Sequence, residues 1–280
     1  MAYTRAWYAA RASAQIPMLP QTQFEAPVDN AVLPSGPPPP YANETVGLIC
    51  DGVENAPASQ PSVGRFSVFN EIGRGTFGIV TLARDGGTGS MCALKTVDKS
   101  LGNHFHGLDR AMQMESLLME KVGPHPNVVR KLHTFETDEV WGLALELAGG
   151  GEVFDYLIEL GEYSEADTAS ITRQVALALQ RCHSAGVCHR DVKPANLLFS
   201  SPGREATVKL CDFGISLPLQ QESNGILSGE RGTPWYMAPE MFGGGEYGKE
   251  VDMWGLGVVL YVRIPVPYTT LSMTCSASRP

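Results

Sequence analysis

The stretch His189-Arg190-Asp191-Val192-Lys193-Pro194-Ala195-Asn196 decides how this chain is read. It sits between an apolar run at 175–187 that should close a helix and the apolar pair Leu197-Leu198. Two readings fit a histidine, an aspartate, a lysine and an asparagine crowded between apolar segments. One is a polar turn. The other is a loop that aims carboxylate, ammonium and amide at a single phosphoryl group, and the rest of the chain has to choose.

At 280 residues with 43% apolar side chains, the chain has material for a buried core in one large domain or two modest ones. A net charge of −9 and a pI near 5.2 exclude a nucleic-acid binder as the first reading, because such proteins gain affinity from a basic face. Cys50, Cys92, Cys182, Cys188, Cys211 and Cys275 lack the paired spacing of a zinc site and read as free thiols in a reducing compartment. A cytoplasmic or nuclear location is therefore expected. His104 and His106 read as loop residues, not metal ligands. The longest apolar run, 253–262, is bracketed by Asp252 and Arg263 and is too short to span a membrane. Ahead of the fold, the first residues carry Arg5, Arg11 and scattered alanines without an acid, a content shared by organellar targeting segments and disordered tails.

Residues 1–62, with Pro37-Pro38-Pro39-Pro40 and no helical or strand period, read as a disordered or polyproline-like leader. From Phe66 the pattern changes. Three strand-like runs at 66–72, 79–84 and 91–97 are separated by glycine-rich turns. Apolar residues at helical spacing predict a helix over 108–122, and two more strand-like runs, 128–135 and 140–147, complete a β-rich lobe. After Ala148-Gly149-Gly150-Gly151, taken as a flexible boundary, the chain becomes mostly helical through about 187. The fold class expected is α+β, a β-rich small lobe over 63–147 and a mainly α large lobe over 152–262.

Gly73-x-Gly75-x-x-Gly78-x-Val80 lies between two strand-like runs, so no helix follows as a dinucleotide-binding turn requires. Taken alone it fits a tight hairpin as well as a backbone cradle for phosphates. Lys95, on the next run, reads either as a solvated strand-end charge or as a phosphate clamp. A clamp needs a carboxylate to fix it, and Glu115 and Glu120 on the predicted helix are the candidates. Asp212-Phe213-Gly214 follows a strand-like Val208-Lys209-Leu210-Cys211 and would deliver a hard oxygen ligand to the same cleft, or simply form a turn.

The order of these pieces removes most of the ambiguity. Glycine hairpin, strand lysine, helix glutamate, His-Arg-Asp with Asn196 following, Asp-Phe-Gly, and Ala238-Pro239-Glu240 occur in one chain. Over about residues 66–262 the sequence resembles the protein kinase family. Lys193-Pro194-Ala195-Asn196 and Gly232-Thr233-Pro234-Trp235-Tyr236-Met237 are similar to the serine/threonine branch, and the segment at 151–157 looks most like the calcium/calmodulin-dependent-kinase-like group.

That resemblance implies a two-lobed kinase fold, ATP and Mg2+ as cofactors, and protein substrates with Ser or Thr hydroxyls. It assigns Asp191 to accept the substrate hydroxyl's proton and Lys193 to stabilise charge on the transferred group. Asn196 and Asp212 would hold magnesium, and Lys95, paired with Glu115, would grip the α- and β-phosphates. Gly73, Gly75 and Gly78 would cover the phosphates, Val80 and Ala93 would sandwich adenine, and Leu145 would be the gatekeeper. Glu146 and Leu147 would offer backbone hydrogen bonds, and Glu152 would reach the ribose or a basic substrate residue. Cys211 would face the nucleotide pocket, reactive or buried and inert. Arg190 beside Asp191 implies an activating phosphate, with Ser228 as the site for an upstream kinase and Thr233 placed instead against Asp191 and Lys193.

The likeness ends near Arg263, and residues 263–280 diverge. Helices that the family carries after this point are missing from the pattern. The expectation is a large lobe in which Glu240 lacks its arginine partner, at about 3 to 5 kcal/mol for a broken buried pair, and the apolar faces of 253–262 are uncovered. A catalytically weak or inactive module that binds nucleotide or a protein partner is the alternative to an active enzyme.

Overall fold

The computed structural model describes residues 61–74, 78–100, 108–153, 155, 164–203, 206–219 and 225–263. The leader up to residue 60, His104, His106, Gly75 and the tail beyond 263 lie outside the described residues. The small lobe is a six-stranded antiparallel sheet in the order β1-β2-β3-β4-β6-β5. Its strands are β1 (Ser62–Val63), β2 (Phe66–Arg74), β3 (Ile79–Asp85), β4 (Met91–Asp98), β5 (Lys131–Glu136) and β6 (Val140–Glu146).

Register places the chemistry. Val80 pairs with Lys95 and Leu82 with Ala93 across β3 and β4, while Lys95 pairs with Leu143 and Ala93 with Leu145 across β4 and β6. Directly opposed residues share a sheet face, so Val80, Ala93, Lys95 and Leu145 all lie on one face. The opposite face of the same strands buries Cys92 and Leu94 with Phe66, Ala83 and Ala144. The first helix, α1 (Leu108–Val122), buries Met112, Glu115, Leu118, Met119 and Val122 at helical spacing and exposes Met114 and Leu117. Its buried stripe is apolar except for Glu115.

Two elements differ from their sequence reading. Val128–Arg130 were expected to open a strand with 131–135, but Val128 makes a parallel bridge to Leu210 instead, and β5 begins at Lys131. The expected flexible run at 148–151 is pinned: the Gly149 and Gly150 amides donate to Ser200 and Phe199, and Phe199 donates back to Gly151. A Cβ at Gly150 would run into the Ser201 carbonyl and Phe199, so glycine here permits close backbone approach, not freedom.

In the large lobe, α2 (Glu165–Ser184) starts at a capping box in which Ser164 Oγ accepts from the Asp167 amide and Asp167 accepts from the Ser164 amide. It buries Ile171, Val175, Ala178, Leu179 and Cys182. Four short strands follow: β7 (Val187–Cys188) pairs with β10 (Leu217–Pro218), and β8 (Leu197–Phe199) pairs with β9 (Val208–Leu210). The third helix, α3 (Glu250–Arg263), buries Val251, Asp252, Leu256 and Val259 and leaves Met253, Trp254 and Tyr261 exposed. One apolar core runs from Val97, Met112 and Leu143 through Leu179 and Phe213 to Leu256 and Val259, joining sheet and helices.

Candidate functional site

Lys95 stands on the cleft face of β4 with its side chain 3% exposed, and its ammonium lies between two carboxylates. It donates to Glu115 Oε1 and Oε2 at 2.7 and 2.8 Å and to Asp212 Oδ1 at 2.9 Å. Burial alone would drive Lys95 toward the neutral amine, but the charges of Glu115 and Asp212 outweigh it and hold the ammonium well above its ordinary range. Burial works against the Asp212 carboxylate as well, and Lys95 again prevails, leaving its pKa below the usual value. For Glu115, burial dominates, joined by the like charge of Asp212, and its carboxyl is pushed up against the pull of Lys95. One ammonium between two acids carries an excess negative charge, which suits a site that takes up a cation.

The second cluster lies on the loop after β7. Asp191 Oδ2 accepts from Lys193 Nζ at 2.6 Å and from Asn196 Nδ2 at 3.1 Å, and Asp191 Oδ1 accepts from the Thr233 hydroxyl at 2.7 Å and its amide at 3.2 Å. Lys193 Nζ also donates to Thr233 Oγ1 at 3.0 Å. Thr233 is therefore where the sequence placed it, against both charged residues. The two clusters meet through backbone: Cys211 N donates to the Asn196 carbonyl at 3.0 Å, which brings Asn196 next to the start of Asp212-Phe213-Gly214.

The donor set fits magnesium. The amide nitrogen of Asn196 is committed to Asp191, and its oxygen is left as an acceptor. Asp212 uses Oδ1 for Lys95 and for the Gly214 amide, and among the described residues nothing donates to Oδ2. One carboxylate and one amide oxygen, with phosphate oxygens completing the shell, is a common arrangement for a small hard cation.

The loop owes its shape to two buried groups. Asp252, the inward-facing acid at the start of α3, accepts from Arg190 N at 2.6 Å, His189 N at 2.9 Å, His183 Nε2 at 2.7 Å and Cys188 Sγ at 3.4 Å. Burial opposes its charge, yet these donors hold its pKa below the ordinary carboxylate value. They fix Arg190 at a φ of 71°, and Asp212 sits at 62°, conformations that cost side-chain-bearing residues free energy. His189 takes the Asp191 amide on Nδ1 and donates from Nε2 to the Cys211 carbonyl, with its ring edge-on to Phe213. Neither Asp252 nor His189 was read from the sequence as holding this loop. The available signal was an acid, Asp252, among the apolar residues of a helix whose first turn also carries Glu250.

Of the remaining expected residues, Val80 and Ala93 are half-buried and Leu145 is buried on the Lys95 face, and Leu147 and Glu152 are half-buried beyond β6, Glu152 bridging to Leu198. Gly73 and Gly78 flank the hairpin turn, and a Cβ on Gly78 would collide with the Thr96 carbonyl. The Glu146 amide donates to the Arg130 carbonyl at 2.9 Å, so a backbone hydrogen bond from Glu146 to a ligand would be made through its carbonyl. Cys211 is held far toward the thiol by burial, next to the negative Asp212, which makes it the inert of its two readings. Glu240 is exposed and has no ion pair among the described residues.

Comparison with known proteins matches the geometry. The family model for the protein kinase domain covers residues 66–266. The chain is 35% identical to calcium/calmodulin-dependent protein kinase type IV of Rattus norvegicus over 82% of its own length and 46% of that protein. It is 39% identical to myosin light chain kinase A of Dictyostelium discoideum over 69% of this chain and 63% of the relative. With calcium-dependent protein kinase 14 of Arabidopsis thaliana the identity is 35%, over 80% and 42% respectively. The chain thus spans about half the length of the curated relatives it matches.

Proposed function

The chain belongs to the protein kinase family, and from that premise we propose that its cleft transfers the γ-phosphoryl group of ATP to serine or threonine hydroxyls of proteins. Members of the family use ATP with Mg2+, which when bound neutralises charge on the phosphates. The observation that carries the reading is the pair of linked clusters: Lys95 fixed by Glu115 and Asp212, and Asp191 ringed by Lys193, Asn196 and Thr233.

In this reading Lys95 positions the α- and β-phosphates, held in place by Glu115 at no further rotamer cost when ligand arrives. Asp212 and the Asn196 oxygen hold the cation. Asp191 accepts a hydrogen bond from the incoming hydroxyl in place of the one it now takes from Thr233, orients it, and receives its proton. Lys193 lies 2.6 Å from that carboxylate and stabilises the charge that develops on the transferred group. Phosphoryl transfer asks mainly for position and electrostatics, which a loop with few rotatable parts supplies.

Regulation by an upstream kinase at Ser228 belongs to the same proposal. Ser228 is exposed and precedes Gly229, whose carbonyl accepts from Arg190 Nη2 at 2.9 Å, and the buried Arg190 Nε finds no hydrogen-bond partner among the described residues. A phosphate on Ser228 would offer that guanidinium charged acceptors where a neutral carbonyl now stands. The leader over 1–62, the kinase domain over 63–262 and a cytoplasmic or nuclear location are proposed with it, the last supported by the unpaired thiols of Cys92, Cys182, Cys188 and Cys211.

The test is a thermal-shift titration with magnesium ATP followed by phosphotransfer to a serine-containing protein substrate. A melting transition that rises with nucleotide, and a transfer rate that Asp191→Asn lowers by about 10²- to 10⁴-fold without loss of the shift, is the expected result. A shift without transfer would leave a nucleotide-binding module, and absence of both would refute the reading.

A further inference from the structure

Tyr247 is buried just ahead of α3, and neither the chemistry nor the regulation described above makes use of it. Three kinds of contact tie it to the stretch that carries Ser228. Its backbone exchanges both hydrogen bonds with Leu227, at 2.7 and 3.0 Å, in an antiparallel bridge outside the named strands. Its hydroxyl donates to the Gly229 carbonyl at 2.7 Å, with the Ser228 carbonyl also within reach at 3.3 Å. Its ring faces the Arg190 guanidinium, whose Cζ lies 5.6 Å from the ring centroid. Arg190 Nη2 donates to the same Gly229 carbonyl at 2.9 Å, so tyrosine and arginine close on one acceptor. Burial holds the phenol above its ordinary range despite the nearby Arg190, so it stays protonated and remains a donor.

We infer that Tyr247 is a positioning residue for the protein substrate: while Ser228 carries no phosphate, its hydroxyl and ring hold residues 227–229 against Arg190. The anchor bears on the reaction because the chain leaves it for Thr233, which contacts both Asp191 and Lys193. Gly232 lies on the way, close against the Arg190 carbonyl, so a segment released at 229 would loosen toward Thr233. A phosphate on Ser228 would give Arg190 a charged acceptor and make the weaker neutral hydrogen bond from Tyr247 dispensable. The cluster of Lys95, Glu115 and Asp212 shares none of these bonds, so the hold on nucleotide is untouched. This rests on the proposed kinase reading and on Ser228 as its regulatory site.

The test compares Tyr247 with Tyr247→Phe in two backgrounds, Ser228→Ala and phosphoserine placed at 228 by codon suppression. Phenylalanine keeps the buried ring, so the hydroxyl is removed without opening a large cavity. Three quantities are read: tryptic cleavage after the exposed Arg231 in nucleotide-free protein, KM for a serine-containing protein substrate, and magnesium ATP affinity. With Ser228→Ala, Tyr247→Phe is expected to speed cleavage and to raise the protein-substrate KM about fivefold each, leaving nucleotide affinity within about twofold. With phosphoserine at 228, the same change is expected to alter cleavage and KM by less than about twofold. A general loosening of the fold would weaken nucleotide binding as well and would not be rescued by phosphate. The inference is overturned if Tyr247→Phe is cleaved no faster in the Ser228→Ala background, or if phosphoserine leaves its defect undiminished. Absence of phosphoryl transfer in every form would refute the kinase reading alone, and the cleavage rates would still decide the anchor.

Discussion

Asp252 is the residue on which the candidate site most depends without touching it. Its carboxylate gathers two backbone amides, an imidazole and a thiol, and one of those amides belongs to Arg190 in its left-handed conformation. Asp252→Asn would turn one acceptor into a donor facing N–H groups, and the expected loss is about 3 to 5 kcal/mol at neutral pH, measured by denaturant unfolding. The folded pKa values of Asp252 and Asp212 are both depressed, so each contributes stability that is fully present above about pH 4 and is lost as pH falls through the folded values. The parent should therefore show a steep acid limb below about pH 4 that Asp252→Asn makes shallower. Residues such as Asp191, Lys193 and Asp212 were legible in the sequence because they recur at fixed spacing among turn and strand signals. Asp252 and Tyr247 were not, because their partners are mainly backbone groups and side chains far away in the chain.

Among the elements, the strands of the small lobe were readable from alternation, and α1 from its apolar spacing, to within a few residues. The misreadings share a cause: composition reports freedom or periodicity, not what a segment lies against. The glycine run at 149–151 looked loose and is laced to β8, and Val128 and Val129 looked like part of β5 and pair with Leu210 of β9. The hairpin between β2 and β3 offers a sharp check on the same theme. Gly78 has no room for a methyl against the Thr96 carbonyl and Val97, so Gly78→Ala should shift β3 against β4, where Val80 opposes Lys95. A cost of about 1 to 3 kcal/mol in a thermal melt, with weaker nucleotide binding, is expected. A variant as stable as the parent would mean the strand edge adapts without loss.

At the scale of the whole molecule, one of the apolar clusters among the described residues joins sheet and helices, and the exposed apolar residues of α3, Met253 and Trp254, stand outside it. The two-lobed α+β architecture was legible from the change in pattern near the glycine run. The manner of joining was not, since it depends on pairing between distant segments. The contact of Asn127 with Val208 closes a separation of 81 residues. Synthesis imposes an order on that closure. While a ribosome has released only the small-lobe sequence, the Asn127–Val129 segment has no strand to dock on, and the nascent chain must wait for β9 before the cleft can set. Stalled chains ending shortly after Glu146 should be digested readily by protease across 125–130. Chains long enough to expose residue 210 outside the exit tunnel should gain protection there in one step.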